Sequence, residues 1–558
     1  MARLGSAAWS RSRASGLRLR DEFCTRIGDG LDDGAAAEAL MAQLELIEAE
    51  MASILARHGP TFWMHVTRRL PPIRINGCTE WSMHLYRRIL TLAVVKHADW
   101  DRSSDVRHEN EVILADLTED DVIDAFSLEY LAYEYHMTVT DHRKVGKGAV
   151  MRVRGGIPDA QVDDDTKALI QLLDERTARF AGLVSSSGTL VETDLPELVN
   201  GEVHMFAMAM TLAGEGLDEA EIEERFGVKL LHPPNYLPTG FSLEGLRAAA
   251  APFDEEIREW AGVGVDGLLG AIGGMSAMAA AALVDSTDAA YQLLRTGYWP
   301  VLGPQRFDEL VTEISRYLDD FILKFGGERL TEDAAVALTR AALDAITWHD
   351  SDRHNISLTD RLPFRALYPM DGAMLLDFEA LAVVIDDLFR QVGSLDGEAG
   401  NLKGLDFEKE ILRRAREAEI EVWESQKVLR APDGSEREID VGLKVGGTLY
   451  VTEAKAMSRN ERLDRGDFTP LRGRWELLTK YLEQAESLRD FLAAHPTGAN
   501  YALPDDVERL ECFVVGPAVE YIPTYEQRFW FADEVPRICT PDELFSILKG
   551  EVSPSAVN

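Results

Sequence analysis

A chain of 558 residues exceeds what one compact core organises, so two or more domains are expected. A hydrophobic share of 46% and a charged share of 28% suit a globular protein, but a formal net charge of −38 argues against general affinity for nucleic acid. Any such contact must rest on a local basic patch. Residues 401–558 hold 21 Lys+Arg against 30 Asp+Glu, so most of the acidity lies in the first 400 residues.

In chain order, residues 1–34 open with five arginines and no acid in the first twenty positions and lack the apolar core of a signal peptide, so disorder is expected there. Residues 35–392 read as a mainly helical sensing, regulatory or interaction region. Ala36 to His58 places Leu40, Leu44, Ile47, Met51 and Ile54 at helical spacing. Thr118 followed by Asp121 opens a capped helix to about Tyr135. Further helices are expected over Thr166–Leu183, Pro196–Leu212, Arg306–Phe325, Thr331–Thr347 and Met374–Val392. Gly267 to Val284 is uncharged but Gly- and Ala-rich and lacks basic flanks, which predicts a buried helix with close neighbours rather than a membrane span. Four scattered cysteines, Cys24, Cys78, Cys512 and Cys539, fit reduced thiols of a cytoplasmic protein. No GxxxxGK[ST] phosphate loop occurs, which argues against an ATP-driven motor.

The Gly-rich stretch at 393–404 reads as a linker. Beyond it, over 405–550, come a helix at Leu405–Glu419, a strand near Glu421–Leu429 and a hairpin at Arg437–Ala456. A helix at Arg474–Ala494 follows, then an apolar strand at Leu510–Val515 and a weak strand at Arg528–Phe531. Last is a helix capped by Thr540-Pro541-Asp542-Glu543. This order describes an α/β unit, a mixed sheet between helices. In the hairpin, Glu453 and Lys455 share a face by period-2 geometry, and the turn at Gly446-Gly447 brings Asp440 alongside them.

Two carboxylates and a lysine converging at a strand end suit phosphodiester hydrolysis. Hard oxygen donors match Mg²⁺, which lowers the pKa of bound water, and the lysine orients that water or neutralises developing charge. Asp440 followed by Glu453-Ala454-Lys455 resembles the PD-(D/E)XK nuclease superfamily, with its restriction-endonuclease-like fold, and Phe407-Glu408 matches the glutamate that members carry on the preceding helix. The resemblance covers about 150 residues. It implies that Asp440, Glu453, Glu408 and the Ala454 carbonyl hold Mg²⁺, or Mn²⁺ in its place, and that Lys455 acts on the water. It implies a metal-dependent nuclease, an endonuclease acting on DNA in preference to RNA. The architecture also resembles bacterial restriction and phage-defence effectors. Ile439 stands where the family name expects proline. Gln484 is offered as the glutamine some members carry on the next helix, although Leu488 replaces the tyrosine that accompanies it.

From Lys455 to Lys480 seven basic residues, with Arg459, Arg462, Arg465, Arg472 and Arg474 among them, face four acids, a local patch that could follow a phosphate backbone. A solvated loop explains the same charges equally well. The competing reading of the hairpin is a surface ion cluster in a non-catalytic binding or assembly protein, working through a partner protein or homo-oligomer of the helical region. The tripeptide alone decides nothing, since Asp165-Thr166-Lys167 repeats it at a helix start. His349, Asp350, Asp352 and His354 read as a turn rather than a metal site, and His136 and His142 as structural residues.

Overall fold

A computed structural model describes residues 6–69, 80–102, 118–184, 190–191, 204–210, 236–243, 247, 254–302, 304–359, 365–370, 373–381, 384, 398–457, 462–463, 466–532 and 534–551. The amino-terminal part is mainly helical and the carboxy-terminal part is a mixed sheet flanked by helices. Of residues 1–34, expected to be disordered, 1–5 lie outside the described residues and Ser6–Ile27 is a helix. Leu19, Phe23 and Ile27, four residues apart, are buried, and arginines of its outer face meet acids, as in Arg11 with Asp120 at 2.8 Å and Arg18 with Glu50 at 3.2 Å.

The Asp33–Leu55 and Glu119–Val145 helices pack against it. Thr118 and Asp121 form the expected reciprocal cap, and the helix runs ten residues past Tyr135 to Val145. The Val265–Asp285 helix is buried, with Gly270 and Gly274 lying close against Leu318 and Ile314 of the Pro304–Lys324 helix. Among the described residues no helix is long and apolar enough to cross a membrane.

Small sheets interrupt the helices: the hairpin β1 (Val150–Arg154) and β2 (Ile157–Gln161), a sheet of β3 (Leu190–Val191), β4 (His204–Met210) and β5 (Tyr236–Ser242), and another of β6 (Tyr298–Leu302), β7 (Leu367–Met370) and β8 (Ala373–Asp377). Two expected helices are therefore corrected. Within Pro196–Leu212 the described residues form β4, whose HMFAMAM sequence has good helix formers but pairs along its length with β5. Met374–Val392 begins as β8, held between β6 and β7.

The carboxy-terminal sheet contains β9 (Glu421–Arg430), β10 (Glu436–Val445), β11 (Thr448–Ala454), β12 (Arg509–Val515) and, after the short pair β13 (Trp530–Ala532) and β14 (Val535–Pro536), β15 (Ile538–Cys539). Its order is β15-β12-β11-β10-β9, with β9, β10 and β11 antiparallel and β11, β12 and β15 parallel. The Glu398–Glu417 helix starts inside the expected 393–404 linker, of which residues 393–397 lie outside the described residues. Alternation along β12 assigns the two faces: Cys512 and Val514 pack with Leu478, Leu482 and Leu488 of the Phe468–Ala494 helix, Phe513 and Val515 with Ile411, Leu544 and Leu548 of the flanking helices. Pro541–Leu548 carries the expected capping box, Thr540 and Glu543 exchanging hydrogen bonds at 2.8 and 3.3 Å.

Candidate metal and nuclease site

The hairpin turns at Gly446, whose φ of +56° is the left-handed conformation glycine adopts freely, and Val445 pairs with Thr448 across it. Farther along, β10 breaks its alternation. Ile439 packs with the core on the Phe468–Ala494 helix side, whereas Val441 and Leu443 pack with the core on the other side. The break falls at Asp440. The β10–β11 pairing closes at Val441 and Thr452, and beyond it the Asp440 carboxylate accepts the Ala454 N–H at 2.8 Å. A side chain thus takes over where the backbone ladder ends, fixing Asp440 against the strand that carries the other site residues.

On β11, Leu449 and Val451 are buried and Glu453 and Lys455 continue the same face. Lys455 stays in register past the strand end because its N–H donates to the Val515 carbonyl at 2.9 Å. Its ammonium lies 3.2 Å from Asp440 Oδ2 and 2.7 Å from Glu453 Oε1, so a single cation already bridges both carboxylates. The Tyr481 ring stands 5.6 Å beneath the ammonium. Glu408, on the Glu398–Glu417 helix, accepts from Gln426 Nε2 at 2.7 Å. Burial holds the Glu453 carboxyl above its usual range; the Lys455 hydrogen bond opposes that shift and the Asp440 charge adds to it. Glu408 is also raised, by burial first, with Asp440 reinforcing. For Lys455 burial works downward, but the hydrogen bond to Glu453 and the Asp440 charge prevail and its ammonium is held above the usual range.

Asp440, Glu453, Lys455 and Glu408 are therefore drawn together. Among the described residues no three carboxylate, histidine or cysteine side chains converge to hold a metal ion as they stand. Mg²⁺ nevertheless needs only one or two protein carboxylates, water and substrate oxygens completing its shell. Asp440 and Glu453, bridged by the Lys455 ammonium, supply that number, and the raised Glu408 and Glu453 carboxyls are groups a divalent cation would favour in charged form. The donor set fits the ion.

The expected basic strip fares less well. Arg459 and Arg465 lie outside the described residues. Arg474 is turned inward and paired with Glu520, at 10% and 9% side-chain exposure, so it is corrected from phosphate contact to structural ion pair. Arg462 binds Asp467 at 2.9 Å and Arg472 binds Glu476 at 3.2 Å, while Lys480 and Gln484 are exposed. The Trp348–His354 segment runs into a 3-10 turn, as expected: Asp352 accepts the His349 N–H at 2.8 Å and pairs with Arg365. The Asp165-Thr166-Lys167 copy lies at a helix start, where Asp163 accepts the Thr166 N–H at 2.7 Å. His136 and His142 are buried.

Three residues at the site carry no motif. Glu438, two positions before Asp440, acts by its charge on Glu408 and Glu453 and was within reach of period-2 reading. Gln426 and Tyr481 have no sequence signal, since each depends on how a distant element crosses the hairpin. No protein-family model matches the chain, and no curated protein and no solved structure does so either.

Proposed function

We propose that the chain is a Mg²⁺-dependent nuclease hydrolysing phosphodiester bonds, in DNA in preference to RNA, with a restriction-endonuclease-like carboxy-terminal unit regulated by the helical region. The observation that carries this reading is the Lys455 ammonium lying against Asp440 and Glu453 where the hairpin strands part, beside a helix-borne Glu408. When bound, the metal would supply Lewis acidity and an activated water. Asp440 and Glu453 would hold it, with the Ala454 carbonyl. Lys455 would keep its proton through the ordinary pH range and present positive charge to the scissile phosphate, with Tyr481 limiting its motion. Glu408 would support the metal or its attacking water.

The fate of the arginines favours one second reading, a binding or assembly protein in which the same side chains form an ion cluster, because Arg462, Arg472 and Arg474 are already paired. Incubation of purified protein with plasmid, single-stranded DNA and RNA in Mg²⁺ or Mn²⁺ separates the two. Wild-type cleavage falling by on the order of 100-fold or more in both Lys455→Ala and Asp440→Ala is expected. Cleavage unchanged in both would remove the site, and no cleavage of any substrate would leave the binding reading.

A further inference from the structure

We infer that Gln426 is a positioning residue of this site, held in a strained backbone conformation so that its side-chain amide fixes Glu408. The inference rests on the proposed metal-dependent reading. Three non-glycine residues among those described have left-handed φ: Glu419 at 55°, Gln426 at 51° and Glu534 at 65°. Glu419 lies in the turn between the Glu398–Glu417 helix and β9, and Glu534 between β13 and β14, where such angles reverse the chain. Gln426 lies inside a ten-residue strand, where the same angle breaks the pleat and carries a steric penalty for any residue with a β-carbon.

The penalty falls at a specific place. The β9–β10 ladder pairs Ile439 with Lys427 and Val441 with Ser425, and omits the position between them, Gln426 and Asp440. The strand distortion on β9 therefore faces the alternation break on β10, and both occur at the proposed metal ligand. Turned out of the ladder, the Gln426 amide donates to Glu408 Oε2 at 2.7 Å across 18 residues of sequence. A neutral donor suits this role. It holds the carboxylate by one oxygen without neutralising it, as an arginine or lysine would, and so leaves its charge for a cation. Gln426 is exposed, so nothing in the packing requires glutamine there.

The inference separates strain from function, so it is tested on the full-length protein by two readouts: the melting temperature in metal-free buffer and Mn²⁺ binding by titration calorimetry. Gln426→Gly adopts the left-handed angle without penalty but lacks the amide. It is expected to melt at or above the wild-type temperature and to bind Mn²⁺ about tenfold more weakly. Gln426→Asn tolerates the angle, yet its amide is one methylene short, so the same loss is expected. In a Glu408→Gln background, adding Gln426→Gly is expected to change Mn²⁺ affinity less than twofold, since the carboxylate it positions is gone. If Gln426→Gly lowers melting temperature and affinity together, or weakens Mn²⁺ binding equally with and without Glu408, the residue is merely structural and the inference falls. If Asp440→Asn abolishes Mn²⁺ binding while Gln426→Gly leaves it within twofold, the inference falls and the metal site stands. Wild type binding Mn²⁺ no better than Asp440→Asn overturns both.

Discussion

Asp440 has two separable duties. Its carboxylate accepts the Ala454 N–H and the Lys455 ammonium, so it completes the hairpin as well as offering charge. Asp440→Asn keeps an oxygen that accepts the Ala454 N–H, whereas Asp440→Ala leaves a part-buried donor unsatisfied, at a cost of about 1–3 kcal/mol. Thermal or urea unfolding is expected to place the Asn variant close to wild type and the Ala variant below it, while neither cleaves nucleic acid. Equal stability of the two would mean that water readily replaces the carboxylate. The Asp, Glu and Lys of this site were legible in the sequence because period 2 and a Gly-Gly turn fix which side chains share a face. Arg474 was misjudged because the sequence carries its charge but not its direction: Glu520, 46 residues later, takes it. Gln426 was invisible for the same reason, since its role depends on a backbone angle no composition signal marks.

Among elements, the Glu119–Val145 helix bears two buried titratable groups with opposite demands. Burial pushes the Asp141 carboxyl up to about 6, with Lys144 opposing. Burial, helped by Arg143, pushes His136 down to about 4. For Asp141 the folded state keeps a proton that the unfolded chain releases, so its stabilisation is present at low pH and is lost as pH rises from about 4 through 6. For His136 the folded state refuses a proton that the unfolded chain accepts, so stabilisation is present above about 6.5 and is lost as pH falls toward 4. Each amounts to about 3 kcal/mol at full titration, and between pH 4 and 6 they offset one another. Asp141→Asn mimics the protonated carboxyl, so its urea midpoint is expected to rise with pH across that window and to exceed wild type at pH 7. His136→Gln is expected to show a midpoint that falls with pH there. Parallel curves for wild type and both variants would mean that neither group is buried as described. Helices such as this one were readable because a cap and a 3.6-residue period are local. β4 was not, because its Met- and Ala-rich sequence favours a helix and only pairing with β5 makes it a strand. The first helix was missed because its arginines dominate the opening residues, while its inward positions before Leu19 are the small residues Ala8, Ser12 and Gly16.

At the scale of the molecule, a buried cation joins the helical region to the carboxy-terminal sheet. Arg176, on the Asp164–Val184 helix, has a side chain only 3% exposed; it binds both oxygens of Glu543 at 2.6 and 3.0 Å and donates to the Glu520 carbonyl at 3.0 Å. Glu543 also caps the last helix, and Glu520 also holds Arg474 of the helix that packs on the Leu449 and Val451 face of the sheet. A second contact lies nearer the site. Gly146 approaches Gly466, in the segment leading from Lys455 to that helix, so closely that a β-carbon would strike its carbonyl. Arg176 is thus placed to transmit a displacement of the helical region to elements on both faces of the sheet. Arg176→Ala leaves Glu543 and the Glu520 carbonyl without their buried donor, at about 3 kcal/mol or more. Arg474→Ala breaks a comparably buried pair, but one lying wholly within the carboxy-terminal unit. Both variants are expected to lose stability, yet only Arg176→Ala should split denaturant unfolding into two transitions, followed by hydrogen exchange in the sheet and in the helical region. If docking restrains the site, Arg176→Ala should also raise cleavage of plasmid in the absence of a partner, which Arg474→Ala should not. Single, coincident transitions in both variants would show that Arg176 is not what couples the two parts, and would direct attention to the contacts around Gly146, where Tyr521 Oη also donates to the Lys147 carbonyl at 3.4 Å.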